Sequence, residues 1–525
     1  MSADLGEHTI RDINLDDLVT AFKTTTVAGS DALKKRLLNP ITEQSELKDR
    51  QNQLRDIRKR CKTSDREITD ALRILHDNEE NVITVGNAGN DKRLKEYYTQ
   101  ILWPTDSFAA RLNHIGWITE VVVFLRTIFL PGMAAILPLF VLAAPLVLYT
   151  FVLKKPLSMT EYFGMIQSSL KKAVPSVLGA PRFAGKGGWM ESGEQIVHIL
   201  VSVGMFAMSI WNQVSAATHM RSIVADMRMR AESVIRFTDA IKKLGDIMGI
   251  KVDVGAAWSP GALGVFGDAW NDPSRIHRLL EQAGELDMLA TVALQKRVCF
   301  PKYADSLAIA DLYHPSLSKE KRVYNSVTMK GKHHILVTGP NRGGKSTFLK
   351  SMGAAVLMSQ TLGIVFARSA SVPIFDTIIT ALAPADSLGK MSLFEAEIEF
   401  AKNVKSVIAT TKGPVFLMMD EIFHGTNAHD GVEASQVFLD ELYASESPVF
   451  SIVSTHYMEL PERYGKEKTQ NLCMEASIDK EDPDRLIYTY RLIEGTNRFS
   501  SVREILRERG LLVQKQPMTD GIKNV

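Results

Sequence analysis

Gly339-Pro340-Asn341-Arg342-Gly343-Gly344-Lys345-Ser346-Thr347 is the stretch that decides how this chain is read. The apolar run Ile335-Leu336-Val337 precedes it, and Phe348-Leu349-Lys350-Ser351-Met352 follows. That order is a strand, a glycine-rich turn and the start of a helix, with the spacing G-x-x-x-x-G-K-S. Each residue type has a task. Glycines let backbone N–H groups close around phosphate oxygens, Lys345 brings positive charge to the β- and γ-phosphates, and the Ser346 hydroxyl suits Mg²⁺. The helix start adds its dipole at the same point. The plain alternative is a glycine-rich turn with an incidental lysine, and the segments downstream tell against it.

Val415-Phe416-Leu417-Met418-Met419 is a short, wholly apolar run and reads as a parallel strand buried on both faces. It ends in Asp420-Glu421. An aspartate at a strand's carboxyl end can hold Mg²⁺, and the adjacent glutamate can polarise an attacking water. A second run, Val449-Phe450-Ser451-Ile452-Val453-Ser454, ends in Thr455-His456. A histidine at the tip of a neighbouring strand is placed to sense the γ-phosphate.

These residues resemble the MutS family of DNA mismatch-repair ATPases. Residues 338–347 read TGPNRGGKST, where the family has close to TGPNMGGKST. Residues 420–431 read DEIFHGTNAHDG against DEIGRGTSTYDG, and 454–460 read STHYMEL against ATHYHEL. Ser392-Leu393-Phe394-Glu395-Ala396-Glu397-Ile398 is similar to the family's STFMAEM. Cys299-Phe300-Pro301-Lys302 through Tyr313-His314-Pro315 is similar to the piece that introduces its ATPase domain. The LSGGQ-like signature of the transporter ATPases is not found.

The resemblance implies roles by position. Gly339 to Thr347 would bind the nucleotide, with Lys345, Ser346 and Thr347 on phosphate and Mg²⁺. Asn341 would help order the attacking water. Asp420 would support Mg²⁺ beside Ser346, Glu421 would act as base, and His456 would read the γ-phosphate. Ser392 would reach the nucleotide of a partner subunit, so a homodimer or heterodimer through the ATPase domains is implied. His314 and Asn325 would contact the adenine end. Phe423-His424 replaces the family's Gly-Arg, and Arg342 replaces an apolar residue and adds charge near the phosphates.

Basic and acidic residues nearly cancel, 62 against 60, for a net charge of +2, so composition offers no global argument for nucleic acid. The three cysteines, Cys61, Cys299 and Cys473, are widely spaced, which fits a reducing compartment without a disulfide framework. The first residues read as neither a signal nor a transit peptide.

No charged residue occurs from 127 to 153, and Pro131, Pro138 and Pro145 recur within that run. At about 1.5 Å per residue it is long enough to cross a bilayer core of about 30 Å. Prolines are costly in soluble helices and tolerated in membrane helices. A weaker uncharged run spans 195–220, with Trp211 near one end and His198, Ser202, Asn212 and Gln213 diluting it. Together they suggest a helical hairpin with both ends on the ATP-containing, cytosolic side. A buried helix pair in a soluble core, and one crossing combined with one re-entrant segment, are the alternatives. The basic loop between them, Lys154, Lys155, Lys171, Lys172, Arg182 and Lys186, fits poorly with the positive-inside rule and better with a position at the headgroups.

The expected organisation is a polar lead (1–30), a helical MutS-like core (31–115), a transmembrane hairpin insertion (116–220), returning core and lever helices (221–300), an α/β phosphate-loop ATPase domain (301–510) and a tail (511–525). A glycine-rich loop is expected at 179–188. Residues 37–54 are similar to the start of the family's helical core, leaving little chain ahead for mismatch-reading and connector domains. Their Phe-x-Glu motif is absent from the sequence. The insertion sits where the family carries its DNA clamp. Two functions follow: a membrane-anchored MutS-like ATPase acting on DNA structures, or an ATP-gated membrane scaffold that moves lever helices against a protein or membrane partner without DNA.

Overall fold

The computed structural model describes residues 4–511 except 6–7, 134–135, 137–142, 144–145, 156–157, 159–160, 163, 166–187, 330, 332, 383–391, 466 and 483–484. The side chains of 4, 188–203 and 205 are likewise not described. The loop expected at 179–187, the tail from 512 and most of the middle of the 127–153 run lie outside the described residues.

The chain divides into two compact units, one of residues 1–76, 243–252 and 281–525, the other of 77–242 and 253–280. The expected boundaries at 115, 220 and 300 do not coincide with the limits of these units.

The first unit contains eleven strands among the described residues: β1 (Asp4–Leu5), β2 (Lys302–Tyr303), β3 (Ala308–Leu312), β4 (Asn325–Thr328), β5 (His334–Thr338), β6 (Ser369–Val372), β7 (Thr377–Ala381), β8 (Val415–Met419), β9 (Val449–Ser454), β10 (Thr469–Ile478) and β11 (Leu486–Glu494). Seven form one sheet in the order β1-β7-β8-β9-β5-β10-β11. All neighbours in it are parallel except β10 and β11. The smaller sheet has the order β2-β6-β3-β4.

The apolar runs are continuous because both faces of the large sheet are covered. Along β8, Phe416 and Met418 point into one core with Leu349, Met352 and Val356 of helix Lys345–Thr361. Val415, Leu417 and Met419 point into the other, with Val404 and Ile408 of helix Leu393–Thr410 and Phe438, Leu439 and Leu442 of helix Ala428–Tyr443.

Residues 8–30 are not a polar lead. Helix Leu15–Phe22 buries Leu15, Leu18, Val19 and Phe22, the i, i+3, i+4, i+7 stripe of an amphipathic helix. β1 pairs with β7, Thr9 Oγ1 donates to the Ile378 carbonyl at 3.2 Å, and buried Asp12 accepts from Thr380 Oγ1 and Leu382 N–H, both at 2.9 Å. The segment is therefore part of the first unit, with β1 at the edge of the seven-stranded sheet. Helix Val27–Leu37 starts at Thr26, whose N–H and hydroxyl both donate to buried Asp287 at 2.7 Å.

The second unit is helical among its described residues. Tyr98 packs on Phe266 and Trp270, with ring centroids 4.8 and 6.1 Å away, and its hydroxyl donates to Asp226 at 2.5 Å. Asp226 and Arg228 belong to one continuous helix, Gly188–Met248, which contains the whole 195–220 run. Arg228 donates to both carboxylate oxygens of Glu120 at 2.9 Å. Helix Gly116–Phe124 passes through a π-turn, Leu125–Phe129, and continues to Met133. The stretch Gly116–Met133 is long and apolar enough to cross a membrane, and only 11 % of it is buried.

Candidate functional site

The site forms where β5, β8 and β9 end side by side. β5 runs into the glycine-rich loop 339–344, and helix Lys345–Thr361 begins directly behind it. Gly339 and Gly344 sit at φ +146° and +99°, in the left-handed region that glycine tolerates. Gly343 N–H donates to the Pro340 carbonyl at 3.0 Å and closes the turn. Arg342 is also left-handed, at φ +67°, and both Asn341 and Arg342 are exposed at the loop's outer edge.

Lys345 is buried and points back over its own loop. Its Nζ donates to the Gly339 carbonyl at 3.0 Å and the Pro340 carbonyl at 3.4 Å, and lies 3.7 Å from Glu421 Oε1. Burial pushes its pKa down, against the opposing pull of Glu421 and Asp420. Ser346 Oγ donates to Asp420 Oδ2 at 2.5 Å. Thr347, one residue on, is exposed.

Asp420 and Glu421 follow β8, and Asp420 N–H donates to the Ala381 carbonyl of β7 at 2.8 Å. Ser454, the last residue of β9, ties the two acids together. Its hydroxyl donates to Asp420 Oδ1, and the same oxygen accepts the Glu421 N–H at 3.0 Å. His456 Nε2 meets Glu421 Oε1 at 2.5 Å. That hydrogen bond, more than the charges of His456 and Lys345, holds the Glu421 carboxyl below the usual carboxylate range. Lys345, Ser346, Asp420, Glu421 and His456 are thus brought into one constellation. The paired oxygens of Ser346 and Asp420 are a hard donor set that fits Mg²⁺.

Three expected contacts have a different setting. Asn325 is committed to β11: its Nδ2 donates to the Tyr490 carbonyl at 3.1 Å and its Oδ1 accepts the Leu492 N–H at 2.8 Å. Buried His314 accepts the Ser316 N–H on Nδ1 at 3.3 Å, while its buried Nε2 has no hydrogen-bond partner. Burial pushes its pKa down to about 4. Ser392 caps helix Leu393–Thr410 in a reciprocal capping box with Glu395.

Arg342 does not face the loop's interior. Its guanidinium pairs with Glu508 of helix Val502–Glu508 at 2.5 Å. Sequence reasoning also missed Tyr490, whose ring lies 3.2 Å from where a Cβ on Gly344 would stand. It is half-exposed, left-handed at φ +56°, and stacked on Tyr488 with centroids 6.1 Å apart. Ser454 had a signal, a lone hydroxyl closing an apolar strand beside Asp420-Glu421. Tyr490 had none, because its approach to Gly344 depends on the β10–β11 pairing.

The model of MutS domain V matches residues 335–507, which include the glycine-rich loop, Asp420, Glu421 and His456. The DNA mismatch repair protein MutS of Bacillus licheniformis is 31 % identical over 231 residues, 42 % of this chain and 26 % of that protein. The MutS of Thermus aquaticus is 28 % identical over 235 residues, 45 % of this chain and 28 % of that protein. The chain spans about a quarter of the length of the curated relatives it matches. Through its domain V, the chain belongs to the MutS family.

Proposed function

We propose that this chain is a Mg²⁺-dependent ATPase anchored to a membrane. The observation that carries the ATPase reading is Glu421, set between buried Lys345 at 3.7 Å and His456 at 2.5 Å. Lys345 exchanges its loop carbonyls for phosphate oxygens when nucleotide enters. Glu421, ionised and steadied by His456, orients water for attack on the terminal phosphate, helped by Asn341 at the loop's edge. Ser346 and Asp420 would hold Mg²⁺, which would supply charge neutralisation for the phosphates. Two copies meeting through their ATPase domains would bring Ser392 of one to the nucleotide of the other.

Support for the membrane anchor comes from exposed apolar side chains along the helical stretch Gly116–Met133. Trp117, Val121, Phe124, Leu125, Ile128, Phe129, Leu130 and Met133 are exposed on the candidate span, and Phe151, Val152 and Trp211 are exposed beyond it. Isolated apolar residues on a surface mean little, but a contiguous set of this size marks a membrane or protein contact. The ATPase domain would then lie on the cytosolic side.

Action on DNA structures is a second reading, favoured by relatives named DNA mismatch repair proteins. An ATP-gated scaffold without DNA is the competing one. The test is carbonate extraction of membranes from cells making the full chain, then ATP hydrolysis and DNA binding in detergent. Retention in the pellet with Mg²⁺-dependent turnover supports the proposal, and extraction into the supernatant sinks the anchor. DNA binding that weakens steeply with salt favours the DNA reading, and no DNA binding favours the scaffold.

A further inference from the structure

We propose that Glu397 is a positioning residue for Glu421, acting through His424 and Gly425. The inference rests on the ATPase reading and adds to it the group that fixes the loop carrying the base.

Glu421 and Phe423, two residues apart, both have left-handed backbones at φ +53°. Neither is glycine, so something outside the loop must hold that conformation. The Phe423 end is tied down by packing. Its ring lies in the core beside Phe394 and Phe438, and the Tyr457 hydroxyl donates to its carbonyl at 2.9 Å. The Glu421 end is held by a charge. Glu397 reaches the loop from helix Leu393–Thr410 with a side chain that is only 14 % exposed. One carboxylate oxygen accepts the Gly425 N–H at 3.1 Å. The other lies 2.8 Å from His424 Nδ1, and that nitrogen also lies 2.8 Å from the Glu421 carbonyl oxygen. A proton on Nδ1 is therefore shared between Glu397 and the backbone of the base. Glycine is required at 425, because a Cβ there would stand 2.9 Å from Phe394 N and 3.1 Å from Glu397 Oε2.

Glu397 is not needed to start its own helix, since Ser392 and Glu395 already form the capping box. Its carboxylate serves the loop. It also lies on the helix that Ser392 begins, so a pull on Ser392 from a second copy's nucleotide would be transmitted to the base through one side chain.

The test uses the full chain in detergent, with kcat and KM for ATP hydrolysis, affinity for a fluorescent ATP analogue with Mg²⁺, and thermal melting. For Glu397→Ala, kcat is expected to fall about tenfold to a hundredfold, the usual consequence of a slightly misplaced catalytic group, while KM, analogue affinity and melting hold. Glu397→Gln, which still offers an oxygen to Gly425 N–H, is expected to recover part of the loss. Glu399→Ala, on the same helix, is the control expected to behave as the parent. If Glu397→Ala does not fold, Glu397→Gln and His424→Ala carry the same expectation of lowered kcat at constant KM. A parental kcat in these variants, or a joint fall of kcat, affinity and melting, overturns the positioning role alone. A parent that hydrolyses no ATP overturns the ATPase reading and this role with it.

Discussion

Ser346 donates its hydroxyl to Asp420 across the gap between the start of helix Lys345–Thr361 and the end of β8, 2.5 Å from oxygen to oxygen. The second carboxylate oxygen is engaged by Ser454, so the acid is oriented from both sides. The two oxygens that would hold Mg²⁺ under the proposed function are thereby already close together. Asp420→Asn is expected to weaken Mg²⁺-supported ATP binding by at least about tenfold, because the amide halves the acceptor set and removes the charge. A Mg²⁺ titration at fixed nucleotide checks it, and an unchanged midpoint would remove Asp420 from the metal site.

Glu421→Gln is expected to keep nucleotide affinity and lose about a hundredfold or more in turnover, the range for general-base groups. The hydrogen bond from His456 lowers the folded-state pKa of Glu421. The sign follows: its contribution to stability is present above the ordinary carboxylate pKa and is lost as pH falls through the lowered one. Activity should accordingly persist into mildly acidic buffer. In His456→Ala the acid limb of the pH–rate profile should move to higher pH, and an unmoved limb would break the pairing.

Glu508→Ala separates a role near phosphate from a structural one for Arg342. The Arg342–Glu508 pair is exposed on both sides and screened by solvent, so its loss should leave thermal stability nearly unchanged. Released from Glu508, the guanidinium should raise ATP affinity at low salt and lose that gain at high salt. Nucleotide titrations at two ionic strengths decide it, and equal affinities at both would leave Arg342 without a phosphate role.

Gly267→Ala tests packing in the second unit. A Cβ there would stand 1.9 Å from the Asn113 carbonyl oxygen, and Asn113 is fully buried and held by Trp103 and Asn271. Backbone must move, so a destabilisation of about 1–3 kcal/mol is expected in thermal melting. A parental melting temperature would show that the unit yields easily at that contact.

Local chemistry made part of this site legible. Glycines at positive φ, a lysine at the helix start, and apolar strands ending in Asp420-Glu421 and His456 are each recorded in consecutive residues. Other parts depend on partners far away in sequence. Asp12 meets Thr380 across 368 positions, and the stripe Leu15, Leu18, Val19, Phe22 was there to be read but gave no hint that its segment joins the sheet. Asn325 was expected at the adenine end, and the structure spends both ends of its amide on β11.

By itself, then, the sequence determined the glycine-rich turn between strand and helix, the strands that end in Asp420-Glu421 and near His456, and the family, because backbone conformation and burial on both faces leave marks in short runs of residues. Only the tertiary structure decided that Arg342 pairs with Glu508, that Tyr490 lies over Gly344, and that Glu397 grips the loop of Glu421. Those are side-chain meetings between separate elements, set by sheet order and helix packing, which no local pattern encodes.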